Sequence, residues 1–143
     1  MPEQNYQNHT QRPVGFLIVF VILMLTLVGA AVNLYESWGD HQRLYSASLI
    51  LVLTFSAIAI LLLARVFALR AQDRAIHAAE NLRHFIATSK PLDPRLTLRQ
   101  VIALRFASDA EYVELTRRAA ADGLAPDDIK RAVKTWRPDT DRV

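Results

Sequence analysis

Two long runs of apolar residues dominate the first half of the chain. Polar residues in the run 14–34 are limited to Thr26 and Asn33, and those in the run 46–64 are all Ser or Thr. At about 1.5 Å of rise per residue, each run would form a helix of about 30 Å, the thickness of a hydrocarbon core. Neither run has the polar face of a buried helix in a soluble bundle. The pattern predicts an all-α membrane protein with two transmembrane helices.

Basic residues near the ends of these runs predict their orientation. The N-terminal tail, 1–13, and the loop 35–45 hold one Arg each, whereas the twenty residues after the second run hold four. Because Lys and Arg accumulate on the cytoplasmic side, a helical hairpin with both termini in the cytoplasm is predicted. Aromatic residues of the external loop and basic residues after the second run suit the membrane interfaces: Tyr35, Trp38, Tyr45, Arg65, Arg70 and Arg74.

Helical patterning continues past the second run without Gly or Pro as far as Lys90. Apolar residues recur with a period of seven along this segment, at Ala68, Ala71, Ala75, Ala78, Leu82 and Phe85. The second helix is therefore expected to leave the membrane as an amphipathic cytoplasmic stalk, 65–88. Alanine packs closely but buries little area, which favours a basic face beside anionic lipids over a coiled coil between stalks.

Signals for a small helical unit follow the stalk. Pro91 and Pro94 interrupt the helix and predict a linker over 89–97. Two pairs of side chains then have the capping-box spacing, in which each satisfies exposed amides of the first helical turn. They predict helices over about 98–106 and 109–121, and the pairs are Thr97 with Gln100 and Ser108 with Glu111.

A third helix is predicted after a glycine and a proline. Gly123 suits the left-handed end of the second helix, and Pro126 suits the first position of a helix over about 126–136. The apolar residues of this helix share one face, at Ile129, Ala132, Val133 and Trp136. The three helices make a unit over 98–137, followed by a tail, 138–143.

This unit of about forty residues lies near the lower size limit for independent folding. It is therefore expected to dock on the stalk, on the membrane surface or on another protein. Phe106 and Trp136 are the candidate contacts with a protein partner, although core packing suits Trp136 even better.

Composition narrows the possible chemistry. The chain of 143 residues has no Cys, four scattered Gly, and no charged or His residue within either apolar run. These features exclude disulfides and thiolate metal sites, a Gly-rich phosphate loop, and a proton relay or haem ligand inside the membrane. His77, Glu80 and His84 could share one side of a helix, but no second helix with ligands accompanies them. We expect no enzyme, no cofactor, no metal and no small-molecule substrate.

The net charge of +3 is concentrated beside the membrane. Seven basic and three acidic residues lie between positions 64 and 99, whereas residues 100–143 hold eight of each sign. A basic segment next to a bilayer attracts anionic headgroups, and no basic helix interleaved with aromatic residues follows it. The expected partners are the lipid bilayer, including anionic lipids, and integral membrane proteins, and not nucleic acid.

Four segments resemble a family of small bacterial proteins with two transmembrane helices, which is catalogued only as a domain of unknown function. The segments are QNYQNH at 4–9, ENLRHF at 80–85, LDPRLTLRQ at 92–100 and IKRAVKTWR at 129–137. The resemblance covers nearly the whole chain and implies the architecture described above. It supplies no activity, cofactor or site residue. One departure is Ala125, where a Ser or Thr cap would be expected before Pro126.

The sequence leads to one principal function and two alternatives. Uncharged spans and an undersized cytoplasmic unit indicate a non-catalytic accessory or structural subunit of a larger bacterial inner-membrane complex, with respiratory and photosynthetic complexes as the bioenergetic candidates. The first alternative is a membrane-tethered cytoplasmic adaptor or regulator that recruits a soluble partner through its C-terminal helical unit. The second is a metal- or ligand-responsive sensor that uses His77, Glu80 and His84.

The predicted topology can be tested with a reporter enzyme that is active only after export. Fused after Val143, the reporter should stay inactive, because the basic segment holds the C-terminus in the cytoplasm. Inserted into the loop 35–45, it should be active. Export of the fusion after Val143 would contradict the topology.

Overall fold

The computed structural model describes residues 5–6 and 13–138. In this part of the chain the secondary structure is helical except for one isolated antiparallel bridge, between Ala107 and Trp136. The helices are α1 (Val14–Glu36), α2 (His41–Thr88), α3 (Leu98–Leu104), α4 (Asp109–Asp122) and α5 (Pro126–Ala132). The chain divides into an N-terminal unit, Arg12–Ala68, and a C-terminal unit, Leu69–Val143 together with Met1–Gln11.

The helices α1 and α2 are long and apolar enough to cross a membrane. They contain 23 and 48 residues. In their most apolar windows of 18 residues, only 6% and 11% of the residues are buried. A core helix of a soluble protein would be mostly buried, so these exposed apolar surfaces require another environment. By length and composition, both helices are candidate membrane spans.

Small and hydroxyl-bearing residues make up most of the buried positions in the N-terminal unit. Ala30 and Ala47 are buried, and the Thr54 hydroxyl is satisfied by donating to the Ile50 carbonyl at 2.8 Å. The Arg65 guanidinium lies 5.6 Å from the centre of the Phe16 ring, so a residue of α2 contacts a residue of α1.

The connection between α1 and α2 is shorter than the predicted loop. The loop was expected over 35–45, but α2 already begins at His41. Its first turn is capped by the Asp40 carboxylate, which accepts the Gln42 and Arg43 amides at 3.2 Å each. A side chain that satisfies first-turn amides stabilises a helix start, and this explains the early start of α2.

In the C-terminal unit, α3, α4 and α5 pack on one another as a three-helix domain. The side chains of Val101, Leu104 and Ile129 are almost completely buried in its core. The Gln100 side chain accepts the Thr97 amide at 2.8 Å and donates to the Leu124 carbonyl at 2.8 Å. One side chain therefore starts α3 and also ties it to the segment before α5.

The end of α5 differs from the prediction. The helix stops at Ala132 instead of about residue 136, and Val133 is extended. The Glu111 carboxylate of α4 accepts the Lys134 and Thr135 amides at 3.0 Å each. A carboxylate that receives two amides offers these residues an alternative to the helical hydrogen bonds. The chain therefore leaves the helix and pairs with the segment after α3.

The same pairing shortens α3. The helix ends at Leu104 and not at about residue 106, because the Phe106 carbonyl accepts the Arg137 amide at 2.8 Å. Ser108 donates its amide to the Thr135 carbonyl at 3.1 Å. The rings of Phe106 and Trp136 lie 4.9 Å apart between these hydrogen bonds.

Replacement of Glu111 by Gln should destabilise the C-terminal unit at neutral pH. Burial alone would raise the pKa of Glu111, but hydrogen bonds from Lys134, Thr135 and Ser108 outweigh it and hold the pKa below the ordinary value of a glutamate. The ionised carboxylate therefore stabilises the fold at pH above that ordinary value, and this stabilisation is lost as the pH falls through the lowered value. We expect a loss of about 1 kcal/mol at pH 7 that shrinks toward pH 3.

The measurement is chemical unfolding of the full chain in detergent, followed by the fluorescence of Trp136 in a Trp38→Phe background. Glu114→Gln is the matched control, because Glu114 is an exposed carboxylate of the same helix. A loss of stability in Glu111→Gln that stayed the same between pH 7 and pH 3 would contradict the role of the ionised carboxylate.

Candidate interaction surface

A buried arginine joins α2 to the three-helix domain. The Arg83 side chain is only 13% exposed, and it donates to the Asp109 carboxylate at 2.9 Å and to the Ala107 carbonyl at 2.8 Å. A third bond reaches the Glu80 carboxylate, one turn earlier on α2, at 3.2 Å. A desolvated cation is stable only when its donors are satisfied. We call this set of contacts the Arg83 junction.

Tyr112 of α4 completes the Arg83 junction. Its ring centre lies 4.0 Å from the Arg83 guanidinium, and its hydroxyl donates to the backbone carbonyl of Glu80 at 3.0 Å. Burial and the nearby Glu80 carboxylate raise the pKa of Tyr112, so the hydroxyl stays protonated and acts as a donor. The imidazole of His84 meets the edge of the same ring, with 6.0 Å between the ring centres.

The linker is also held on α2. The Asn81 side-chain carbonyl accepts the Leu92 amide at 2.9 Å, which fixes the chain shortly after the end of α2. The sequence left three possible docking surfaces for the small domain: the stalk, the membrane surface and another protein. The described contacts are with α2 of the same chain, the helix that contains the predicted stalk. The small domain thereby gains the additional helix that its size demands.

The charged groups of the Arg83 junction are arranged for binding one another. A hydrogen bond from Arg83 lowers the pKa of Asp109, and burial lowers the pKa of His84. Two surface depressions flank the junction, of about 330 Å³ beside Leu82 and about 840 Å³ beside His84. The larger one is bordered by the ion pair of Arg95 with Asp93 and by Arg117, which pairs with Glu114. The carboxylates and guanidinium groups are thus occupied by partners and fixed in place.

The opposite face of α2 is apolar and exposed. We call it the α2 stripe, and it consists of Ala71, Ala75, Ala78, Leu82, Phe85 and Ile86. At about 100° per residue these positions fall within an arc of about 100°, while Glu80 and His84 lie about 160° from Leu82 on either side. The C-terminal unit therefore packs its domain on one face of α2, and the apolar face stays exposed beside the domain, with Leu82 and Ile86 at the edge of the smaller depression.

Five of the six residues predicted for the membrane interfaces are exposed, and the sixth, Arg65, is half-buried. Tyr35, Trp38 and Tyr45 are strongly exposed near the end of α1 and the start of α2. Arg70 and Arg74 are exposed on α2. Their contact with lipid headgroups stays a prediction.

The two candidate partner contacts lie in the three-helix domain. Phe106 is only 1% exposed, so it is a core residue and cannot meet a partner at the surface. Trp136 is half-buried and packs on the same core. The physical reason is the pairing of the segments after α3 and α5, which encloses both rings. An α3 helix that is apolar nearly all round was the sequence signal for this burial.

The possible ligand set of His77, Glu80 and His84 is divided by the fold. Glu80 pairs with Arg83, and His84 packs against Tyr112. Within residues 5–6 and 13–138, no group of three or more His, Asp or Glu residues is arranged to hold a metal ion. The sequence reasoning missed Arg83 and Tyr112, for which the spacing of Glu80 and Arg83 on one helix was the only local signal.

Comparison with known proteins gives one match. The whole chain, residues 1–143, fits the model of a family of unknown function, DUF6526. No curated protein and no solved structure matches it.

Replacement of Arg83 by Met should destabilise the C-terminal unit strongly. The Glu80 side chain is only 8% exposed and would lose its ion-pair partner, while the Ala107 carbonyl would lose a donor. We expect the free energy of unfolding to fall by about 3 kcal/mol, the range for breaking a buried pair. Unfolding in detergent, followed by Trp136 fluorescence, measures this change.

Arg117→Met is the matched control, because Arg117 pairs with Glu114 on the exposed surface of α4. Exposed pairs contribute little to stability, so this variant should unfold almost like the original chain. Equal losses in the two variants would contradict a special role for the Arg83 junction.

Proposed function

The chain belongs to DUF6526, a family of unknown function, and we propose from its own geometry that it is a non-catalytic accessory or structural subunit of a larger complex in the bacterial inner membrane. The observation that carries this proposal is the distribution of large exposed apolar side chains. In the described part of the chain they lie on α1, on α2 and, at Trp38, in the connection between them, except for Leu98 and Val113. Surfaces of this kind suit lipid and other membrane helices.

In the proposed arrangement, α1 and the first part of α2 form a transmembrane hairpin, and α2 continues as a cytoplasmic stalk. A contact within the C-terminal unit supports it, because the Arg131 guanidinium of α5 lies 5.4 Å from the centre of the Tyr6 ring. Tyr6 precedes the first span and Arg131 follows the second, so the contact requires both on the same side of a membrane. The excess of Arg after the second span favours the cytoplasmic side.

A structural role accounts for how the polar residues are used. The buried polar groups of the Arg83 junction bind one another and hold the domain on α2. The exposed Arg70 and Arg74 follow the second apolar run and suit anionic lipids. Integral membrane proteins are the proposed protein partners, with respiratory and photosynthetic complexes as the first to test.

The adaptor alternative is less well supported by the surface of the three-helix domain. A domain that recruits a soluble protein needs an exposed apolar centre in its binding surface. Phe106, one of the two residues predicted for this role, is buried in the domain core. The exposed candidates on α3 to α5 are Leu98 and Val113.

The proposal predicts that the chain migrates with other integral membrane proteins. Native membranes dissolved in a mild detergent should give a complex larger than one or two copies of the chain, with further subunits identified by mass spectrometry. Recovery only as a free monomer or homodimer would overturn the proposal.

A variant distinguishes the accessory subunit from the adaptor. The double substitution Leu98→Glu and Val113→Glu changes the exposed apolar residues of the three-helix domain and leaves both spans intact. Membrane partners should be retained in this variant, and they should also persist after deletion of residues 92–143. Their loss in both would favour the adaptor.

A further inference from the structure

The α2 stripe exposes more large apolar surface than the helical unit needs for its own fold. Leu82 is 59% exposed, Phe85 53% and Ile86 75%, although all three lie in the C-terminal unit and outside the apolar run. They adjoin the exposed Ala75 and Ala78 on the same face of α2. An apolar patch of this size on a small domain marks an interaction site.

The chain's own domain leaves this face free. Glu80, Arg83 and His84 direct their contacts to α4 and to the segment before it, on the other side of α2. Leu82 and Ile86 border the smaller depression together with Asp109, Tyr112 and Arg137 of the domain, and both side chains remain more than half exposed. Two chains could pair through their stripes with both domains on the outside.

The spacing of the α2 stripe fits a helix of the same kind. Its main positions recur every three or four residues, at 71, 75, 78, 82 and 85, which is the seven-residue repeat of a left-handed coiled coil. In a parallel pair each of these residues meets its own copy, so apolar side chains face apolar side chains at every layer.

The residues that flank the α2 stripe do not oppose pairing. In a parallel coiled coil the flanking position of one helix meets the flanking position of the next heptad on the other. Arg74 would meet Ala79, and Asn81 would meet Ile86, so no two like charges face each other. The remaining flanking residues, Gln72 and Thr88, are uncharged.

The area is sufficient for a specific contact. Each stripe presents a few hundred Å² of apolar surface, and two of them would bury on the order of 1,000 Å² in total, the lower size of specific protein interfaces. Two copies anchored in one membrane in the same orientation would also be held parallel and close together. The parallel orientation of the two helices rests on the proposed membrane topology. The pairing of the two stripes does not depend on that topology.

We propose that two copies of this chain form a parallel dimer through the α2 stripe, with Leu82 and Phe85 at its centre. The dimer is independent of the larger complex, because it uses a surface outside the apolar runs. Failure of the dimer would leave the accessory role intact, and an absence of other subunits would leave the dimer intact.

Cysteine cross-linking tests the dimer directly, since the chain contains no Cys of its own. The variants Ala75→Cys, Ala78→Cys and Leu82→Cys place thiols where paired helices bring Cα atoms within disulfide range, about 4.4–6.8 Å. Mild oxidation of membranes that contain the full chain should give a band at twice the mass of the chain. His77→Cys is the matched control, because it is exposed on α2 but lies off the stripe.

Cross-linking at the stripe positions should exceed that of His77→Cys by about tenfold. Equal yields at Ala78→Cys and His77→Cys would mean random collision and would overturn the dimer. Absence of the band at all three stripe positions would do the same. A cross-linked band at a different mass would assign the stripe to another protein instead of a second copy.

A charge placed on the stripe gives an independent readout. Leu82→Glu with Ile86→Glu should weaken the dimer by about tenfold or more, measured as the monomer fraction in mild detergent, because pairing would bury unpaired carboxylates. Val113→Glu is the control, an exposed apolar residue of α4 away from the stripe. Unchanged dimer in the double variant, with normal Trp136 fluorescence, would overturn the proposal.

Discussion

A desolvated guanidinium organises the C-terminal unit. The Arg83 side chain is only 13% exposed, and its donors find acceptors at three places in the sequence: Glu80, Ala107 and Asp109. Because a buried cation tolerates few alternative arrangements, these bonds select one rotation of the domain about α2. The ring of Tyr112 packs against the guanidinium, with 4.0 Å between the ring centre and the central carbon of that group.

Because of this constraint, the polar and apolar faces of α2 have unusual roles in the segment after its apolar run. An amphipathic helix ordinarily buries its apolar face and exposes its polar face. Here the face with Glu80 and Arg83 is the one that the chain covers, and the face with Leu82 and Ile86 is the one left open. Polar bonds give the domain a defined position, while the apolar face retains its capacity for contact with another molecule.

Features set by local physics could be predicted from the sequence, and features set by distant contacts could not. The helix starts at Thr97 and Ser108 and the left-handed residue Gly123 follow from neighbours within four positions. The early end of α5 depends on Glu111, more than twenty residues from the amides that it accepts. The early end of α3 depends on the hydrogen bond from the Arg137 amide to the Phe106 carbonyl.

The candidate interaction surface could also be predicted from the sequence only where it depends on local spacing. The exposed apolar face of α2 was visible as a seven-residue repeat, because helical periodicity is a local property. The burial of Phe106 and the partners of Arg83 depend on how separate segments meet, and spacing along the chain does not encode that. The residues Glu80, Asn81 and Arg83 lie together in the segment ENLRHF, so their shared role at one junction became evident only in three dimensions.

The contact between Tyr6 and Arg131 has a consequence for the order of events during synthesis. Tyr6 leaves the ribosome before α1 and α2, whereas its partner Arg131 emerges only after these helices and α4 have been made. Closing so long a loop is slow and entropically costly, so this contact belongs to the last stage of folding. In the proposed transmembrane hairpin, a wrongly inserted helix would hold the two residues in different compartments.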